Sequence, residues 1–149
     1  GPNDNFDPTS GHVLSSLIRR FHEARQSDAP SVTLWGSGTP RREFIHADDV
    51  ADACIALLAG NTSALALPLN LGTGRDFSIR ELSEIIARVI GYSGTIEWDT
   101  SKPDGAPRKL LDSGRLRAFG WQPAVNFEEG LKETYQWYRD HALSTETCS

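Results

Sequence analysis

The chain has 149 residues, 38% hydrophobic and 23% charged, which suits a soluble globular domain with one core. Its formal net charge of −5 argues against a general nucleic-acid or anionic-membrane binder, and no run reaches the roughly 18 apolar residues of a membrane span. Cys54 and Cys148 do not make a disulfide framework, so we expect a reducing, cytoplasmic setting.

Helical and extended patterns alternate in the first half of the chain. The predicted elements are a loop at 1–10, a helix from His12 to about residue 27, strands at 32–35 and 42–45, and a helix from about residue 49 to Gly60. Ser10 is the expected N-cap of the first helix, and Asp48 or Asp49 that of the second. Cys54 falls on a core-facing position of the second helix.

The alternation continues in the second half. The predicted elements are a buried strand at 68–71, a helix at 79–90, a strand at 95–98, a short helix within 108–119 and a last helix from Asn126. Ser78 and Glu81 have the spacing of a capping box, and Gly91 is a natural helix stop.

These elements predict a small mixed α/β domain that has too few strands for a full doubly wound sheet. Residues 1–142 form its folded region, and residues 143–149 form a polar tail that we expect to be disordered. The sequence contains no methionine. We therefore expect either a processed chain or a piece of a longer protein, in which Gly1-Pro2 is native sequence or a protease scar.

Neither glycine-rich turn completes a dinucleotide-binding fingerprint. The turns Gly36-Ser37-Gly38 and Gly72-Thr73-Gly74 would need a third glycine where Arg41 and Phe77 stand. No tyrosine has a lysine four residues later, a spacing at which the ammonium could lower the tyrosine pKa. The sequence thus predicts no cofactor-phosphate loop in this chain.

Trp35 and Arg42 flank a Gly/Pro loop, and an aromatic face beside a guanidinium suits a nucleotide diphosphate. The alternative is a core tryptophan among solvated arginines. The loop at 101–109 carries two prolines and both signs of charge, which fits either a site cover or an ordinary connection.

Of the four histidines, His12 starts a helix, where its side chain either faces a cleft or lies exposed. His22 falls on the polar face of the same helix, so we expect it to be inert. No group of side chains has metal-ligand spacing, and we predict no metal site.

Several stretches of this chain resemble one family. They are Gly1-Pro2-Asn3-Asp4-Asn5-Phe6, Gly11-His12-Val13, the Trp35–Pro40 run, Arg42-Glu43-Phe44-Ile45-His46 with Asp48-Asp49, the Asn70–Gly74 run, and the Ser101–Asp112 run. Together they are similar to the GDP-L-fucose synthases, which are extended short-chain dehydrogenases/reductases. The Gly-His-Val and Lys-Pro-Asp-Gly-x-Pro-Arg-Lys motifs carry most of the specificity.

The resemblance implies a substrate and a cofactor. Such enzymes epimerise GDP-4-keto-6-deoxy-D-mannose at C3 and C5 and then reduce C4 with NADPH. It implies that His12 is the acid of the epimerisation and also contacts the cofactor. It further implies substrate contacts from five residues, with Arg20 and Arg42 on the GDP phosphates and Asp104 on guanine or ribose: Arg20, Trp35, Arg42, Asp104 and Lys109.

The glycine-rich loop and reduction triad of that family would lie upstream of Gly1, so the resemblance implies that NADP is bound mainly outside this chain. We expect the fragment alone to be inactive and the full-length protein to be a homodimer. Loss of the upstream half would expose apolar surface, for which Leu17, Ile18 and Val50 are candidates. Two alternatives remain: a fragment of another NAD(P)-dependent nucleotide-sugar epimerase or dehydratase, and a non-catalytic nucleotide-sugar-binding module.

Overall fold

The computed structural model describes residues 1–60 and 68–142. The elements of this part are α1 (Val13–Gln26), β1 (Ser31–Trp35), β2 (Arg41–Glu43), α2 (Ala47–Ala59), β3 (Asp76–Ser78), α3 (Ile79–Ile90), β4 (Thr95–Asp99), β5 (Arg108–Lys109), α4 (Gly114–Ala118) and α5 (Phe127–Trp137). A π-helical turn, Tyr138–Ala142, follows α5. The predicted tail at 143–149 lies outside the described residues.

The strands form two small sheets. β1 and β4 are parallel, and β2 lies between an antiparallel β3 and a parallel β5. In β1 the side chains of Val32 and Leu34 point inward, whereas Thr33 and Trp35 point to solvent. The prediction of a small mixed α/β domain is therefore confirmed.

The main core lies where α1, α3 and α5 pack together beside β1. Its fully buried side chains include Ile18, Phe21, Leu82 and Ile86. Phe6 joins it from the N-terminal loop, with its ring centroid 4.6 Å from that of Tyr138. This contact anchors a segment that has no regular secondary structure.

The clearest local prediction is confirmed in α3. Ser78 Oγ accepts from the Glu81 N–H, and the Glu81 carboxylate accepts from the Ser78 N–H, which completes the capping box. Gly91 ends the helix with a φ of 79°, a left-handed conformation that glycine adopts without a Cβ clash.

Three boundary predictions were wrong. No strand forms at residues 68–71, because this segment has no strand partner in the described chain. Leu69 and Leu71 instead pack against a small cluster that contains Leu116 and Trp121. α1 begins after His12, and Ser10 instead bonds to Asp7. His46 caps α2 by accepting the Asp48 N–H.

The predicted surface was also partly wrong. His22 is buried, because it faces Tyr135 of α5, and Leu17 and Ile18 are buried in the core. Cys54 is exposed, because the side of α2 that packs inward is the one carrying Ala53. Val50 is exposed as predicted.

Candidate functional site

The segment between β4 and β5 connects several of the predicted site residues. Lys102 Nζ lies 5.7 Å from the ring centroid of Trp35. Asp104 bonds to Ser37, and the carbonyl of Ala106 accepts from Arg42 Nη1 at 2.7 Å. We call this segment, residues 100–107, the site loop. It holds residues of β1 and β2 together.

Asp104 is fixed by two hydrogen bonds. Its Oδ1 accepts from the Ser37 N–H at 2.9 Å, and its Oδ2 accepts from Ser37 Oγ at 2.7 Å. These bonds, the side-chain bond first, lower the pKa of Asp104. A Cβ on Gly36, whose φ is 82°, would lie 2.4 Å from Asp104 Oδ1. The glycine therefore makes room for the carboxylate.

Trp35 offers an open aromatic face. Its side chain is 68% exposed at the end of β1, on the strand side that points to solvent. Arg20 reaches β1 from α1, where its Nη1 donates to the backbone carbonyl of Thr33 at 3.4 Å.

Two pairs of basic residues lie across β2 and β5. Arg41 is in register with Arg108, and Arg42 with Lys109. Asp76 accepts from the Nε atoms of Arg41 and Arg108, and the Arg108 bond is the first cause of the lowered pKa of Asp76. The Asp76 carboxylate and the Glu81 carboxylate, 3.2 Å from Arg41 Nη1, thus neutralise the first pair.

The second pair has no such partner. Within residues 1–60 and 68–142, no carboxylate forms an ion pair with Arg42 or Lys109. Because alternate residues of a strand face opposite sides, this pair lies on the side away from Asp76. Like charges that face each other across two strands repel, so an anion bound between them would relieve the repulsion.

The structure brings Trp35, Arg42, Asp104 and Lys109 together around the site loop, and Arg20 contacts the backbone of β1 two residues before Trp35. His12 is further off: it is exposed at the start of α1. Eight helical residues correspond to about 12 Å, so it lies two turns from Arg20 along the helix. The functional roles of these residues remain predictions.

Two residues of the site were missed by sequence reasoning. Ser37 provides both donors to Asp104, and Lys102 Nζ lies 5.7 Å from the Trp35 ring centroid. A serine between two glycines, 67 residues away from its partner, gives no local signal of that contact.

The glycine turns of this chain do not fit a cofactor diphosphate. The N–H of Gly36 donates to the Asp99 carbonyl, that of Ser37 donates to Asp104, and that of Gly74 donates to Glu43. A phosphate cradle requires backbone N–H groups free to point at the anion. The N–H groups of Gly36, Ser37 and Gly74 are therefore not free to hold a diphosphate.

The described residues contain no group of three or more His, Cys, Asp or Glu side chains arranged to hold a metal ion. None of the helices in this part of the chain is both long and apolar enough to cross a membrane.

Comparisons with known proteins agree with this geometry. Residues 1–72 match the model of the NAD dependent epimerase/dehydratase family. A probable GDP-L-fucose synthase 1 of Oryza sativa is 51% identical over 144 residues, which are 97% of this chain and 43% of that protein. The GDP-L-fucose synthase of Escherichia coli is 49% identical over 148 residues, which cover 95% of this chain and 46% of that protein.

Solved structures show the same likeness in the backbone. A GDP-L-fucose synthetase from Naegleria fowleri superposes with a TM-score of 0.86 at 29% identity, over 97% of this chain and 44% of that one. A GDP-D-glycero-L-gluco-heptose synthase from Campylobacter jejuni superposes with a TM-score of 0.82 at 27% identity, over 95% of this chain and 50% of that one. The chain spans less than half the length of the curated relatives named above.

The fold is thus part of an extended short-chain dehydrogenase/reductase, and the first 72 residues are similar to the NAD dependent epimerase/dehydratase family. Within that family its sequence is similar, at about half identity over nearly its whole length, to the GDP-L-fucose synthases of plants and bacteria. The resemblance predicted from the sequence motifs is confirmed.

Proposed function

We propose that this chain is the GDP-sugar-binding part of a GDP-L-fucose synthase, which epimerises GDP-4-keto-6-deoxy-D-mannose at C3 and C5 and reduces C4 with NADPH. The proposal takes residues 1–142 as the substrate-binding region. The observation that carries it is the unneutralised pair Arg42 and Lys109, next to a site loop that also holds Trp35.

The charges support a diphosphate ligand. Arg42 Nη1 donates to the carbonyls of Arg41 and Ala106, both at 2.7 Å, which fixes the guanidinium plane. In the described structure its Nε and Nη2 donors stay available, and such a fork suits phosphate oxygens. Arg20 and Lys109 add two further cations, so we assign Arg20 and Arg42 to the phosphates with Lys109 assisting.

The remaining contacts suit a nucleoside. Trp35 offers its exposed ring to a base or a sugar. Asp104 keeps lone pairs beyond the two that Ser37 uses, and these could accept from guanine N–H groups or ribose hydroxyls. Its fixed position also means that Asp104 holds the site loop over the ligand.

His12 is our candidate for the acid of the epimerisation. Inversion beside a ketone needs a base that removes a proton and an acid that returns one to the other face, and histidine titrates in the range where it can do so. We also expect it to contact the cofactor. NADPH would supply the hydride for C4, and we expect it to be held mainly by polypeptide outside this chain.

The full-length protein would be a cytoplasmic homodimer, and the isolated chain would show no NADPH-dependent turnover. Assaying the purified chain with GDP-4-keto-6-deoxy-D-mannose and NADPH checks this. Turnover by the chain alone would contradict the proposal that NADPH is held mainly by polypeptide outside this chain.

Isothermal titration tests the nucleotide site directly. We expect GDP to bind more tightly than UDP or dTDP. Arg42→Ala should weaken GDP binding by roughly 10- to 100-fold, because it removes charge-assisted hydrogen bonds. Arg88→Ala is the matched control, since Arg88 pairs only on the surface with Glu128 at 2.7 Å. Equal GDP affinity in the two variants, or no preference among the nucleotides, would contradict the proposal.

A further inference from the structure

The turn that joins β1 to β2 carries Ser37 between two glycines. We call residues 36–40 the Ser37 turn. Gly36 and Gly38 have φ of 82° and 77°, and glycine populates positive and negative φ about equally readily. The turn therefore has little stiffness of its own, and the two hydrogen bonds from Ser37 to Asp104 require contacts that hold it in place.

The backbone at the start of α3 provides the first of these contacts. The N–H of Ile79 donates to the Pro40 carbonyl, and the N–H of Arg80 donates to the Gly38 carbonyl, both at 2.9 Å. The first N–H groups of a helix have no partner within the helix, so α3 and the Ser37 turn satisfy each other. The turn is thus attached to a helix whose apolar face lies in the main core.

The side chain of Arg80 adds a second attachment. Its Nη2 donates to the Ser37 carbonyl at 2.9 Å. Its guanidinium carbon lies 4.6 Å from the ring centroid of Trp98, which is a cation–π distance. The Trp98 ring also lies against Gly38, where a Cβ would come within 2.7 Å of it. Trp98 of β4 therefore contacts both the arginine and the turn.

These contacts hold Ser37 on both sides of its Cα. The N–H of Ser37 donates to Asp104 Oδ1 at 2.9 Å, and the carbonyl of Ser37 accepts from Arg80. Because each peptide group is planar, holding the two groups that flank a residue fixes the φ and ψ between them. Ser37 Oγ then meets Asp104 Oδ2, at 2.7 Å, from a defined direction.

Arg80 can be changed without disturbing the core. It is exposed, so truncation opens no buried cavity, and alanine is the most favourable residue in a helix. Its guanidinium is directed at a backbone carbonyl and an indole ring. A change at Arg80 therefore acts on Asp104 through Ser37.

We propose that Arg80 is a positioning residue of the nucleotide site: it holds the Ser37 turn so that both Ser37 donors meet Asp104 and keep the site loop closed. The inference rests on the proposed function for the identity of the ligand, GDP. Arg80 acts through Ser37 and Asp104 and touches no ligand atom.

The first measurement needs no nucleotide. Carbon-13 NMR follows the Asp104 carboxyl group, whose signal is identified by its absence in Asp104→Asn. Its pKa is lowered by the bonds from Ser37. In Arg80→Ala we expect this pKa to rise towards the ordinary value near 4, because the Ser37 donors lose their alignment. High salt screens the direct effect of the lost charge.

Arg88→Ala is the matched control for this titration. It removes an exposed arginine from the same helix, where Arg88 pairs with Glu128, and it should leave the Asp104 pKa low. Arg80→Met keeps an apolar stem for Trp98 but has no donor, so it gives the same test if circular dichroism shows Arg80→Ala to be unfolded.

A double-mutant cycle tests the route to the ligand. By titration calorimetry we expect Arg80→Ala to weaken GDP binding by roughly fivefold. The same change made in Asp104→Ala should have no further effect, because the residue through which Arg80 acts is already gone. Arg80→Lys keeps a cation and a donor and should recover most of the native affinity.

Two results would overturn the proposal. One is an Asp104 pKa that stays low in folded Arg80→Ala and Arg80→Met. The other is affinity losses of Arg80→Ala and Asp104→Ala that multiply in the double variant. A native chain that does not bind GDP contradicts the nucleotide site instead, and the titration of Asp104 still decides whether Arg80 holds the Ser37 turn.

Discussion

The carboxylate of Asp104 accepts both hydrogen bonds that Ser37 can direct to it, from the backbone N–H and from Oγ. The two residues belong to different connections of the fold, one following β1 and the other following β4. Their contact closes the site loop over the exposed ring of Trp35.

Replacing Asp104 tests whether this closure matters for binding. Asp104→Ala should weaken GDP binding by roughly tenfold, because the site loop loses two charge-assisted hydrogen bonds. Asp104→Asn keeps one acceptor oxygen, so its affinity for GDP should lie between that of Asp104→Ala and that of the native chain. Titration calorimetry gives the three affinities, and an unchanged affinity in Asp104→Ala would contradict a role in binding.

The pH dependence of the loop has a defined sign. Hydrogen bonds from Ser37 lower the pKa of Asp104 in the folded chain, so the closed loop favours the carboxylate. Its contribution is present above the unfolded value near 4 and is lost as the pH falls through the lowered value. GDP affinity should therefore change little between about pH 7 and pH 5 on account of Asp104.

Gly36 and Gly120 provide a matched pair of variants. Both have positive φ, 82° and 99°, but a Cβ on Gly36 would strike Asp104 whereas one on Gly120 meets nothing within 4 Å. Both Gly→Ala variants should lose stability from backbone strain. Only Gly36→Ala should also weaken GDP binding, which calorimetry on the folded variants measures. Equal affinities would show that the contact with Asp104 does not matter.

The core of α1 and α5 contains a titratable pair. His22 Nδ1 lies 3.0 Å from the Tyr135 hydroxyl, and burial lowers the pKa of His22. The unfolded chain therefore binds the proton more readily, and stability should fall as the pH drops below about 6.5. Urea unfolding from pH 7.5 to 5 should show a shallower decline for His22→Gln. His141→Gln, at an exposed position, should retain the native slope.

The capping box of α3 gives a prediction for stability. Ser78→Ala should lower the free energy of unfolding by about 1 kcal/mol, because the N–H of Glu81 loses its acceptor. Ser93→Ala, an exposed position after α3, should change it by only a few tenths of a kcal/mol. Chemical denaturation of the three chains measures the difference, and equal values for Ser78→Ala and the native chain would contradict the role of the cap.

Helices with one apolar face were predictable from sequence. In α3 the apolar spacing, the capping box and Gly91 all indicate the same boundaries. The strands β3 and β5 have three and two residues, too few to show a period. They form because each pairs with β2, and this tertiary contact cannot be recognised in the local sequence.

The errors at Cys54 and His22 have a related cause. Helix α2 has apolar residues on both sides, so periodicity could not tell which side packs inward. His22 lies among charged neighbours in sequence, and its partner Tyr135 is 113 residues away. The candidate binding residues were predicted from family motifs, but the unneutralised pair Arg42 and Lys109 became visible only with the register of β2 and β5.

The span of the site contacts has a consequence for how binding and folding are coupled. Ser37 meets Asp104 across 67 residues, and Arg42 meets Ala106 across 64. A ligand held by these contacts can bind only after both long chain closures have formed, so it stabilises the joined sheets rather than any single helix. Loss of nucleotide affinity would therefore be an early sign that β4 or β5 has separated from its partner, at a stage when the helical signal of the chain is still intact.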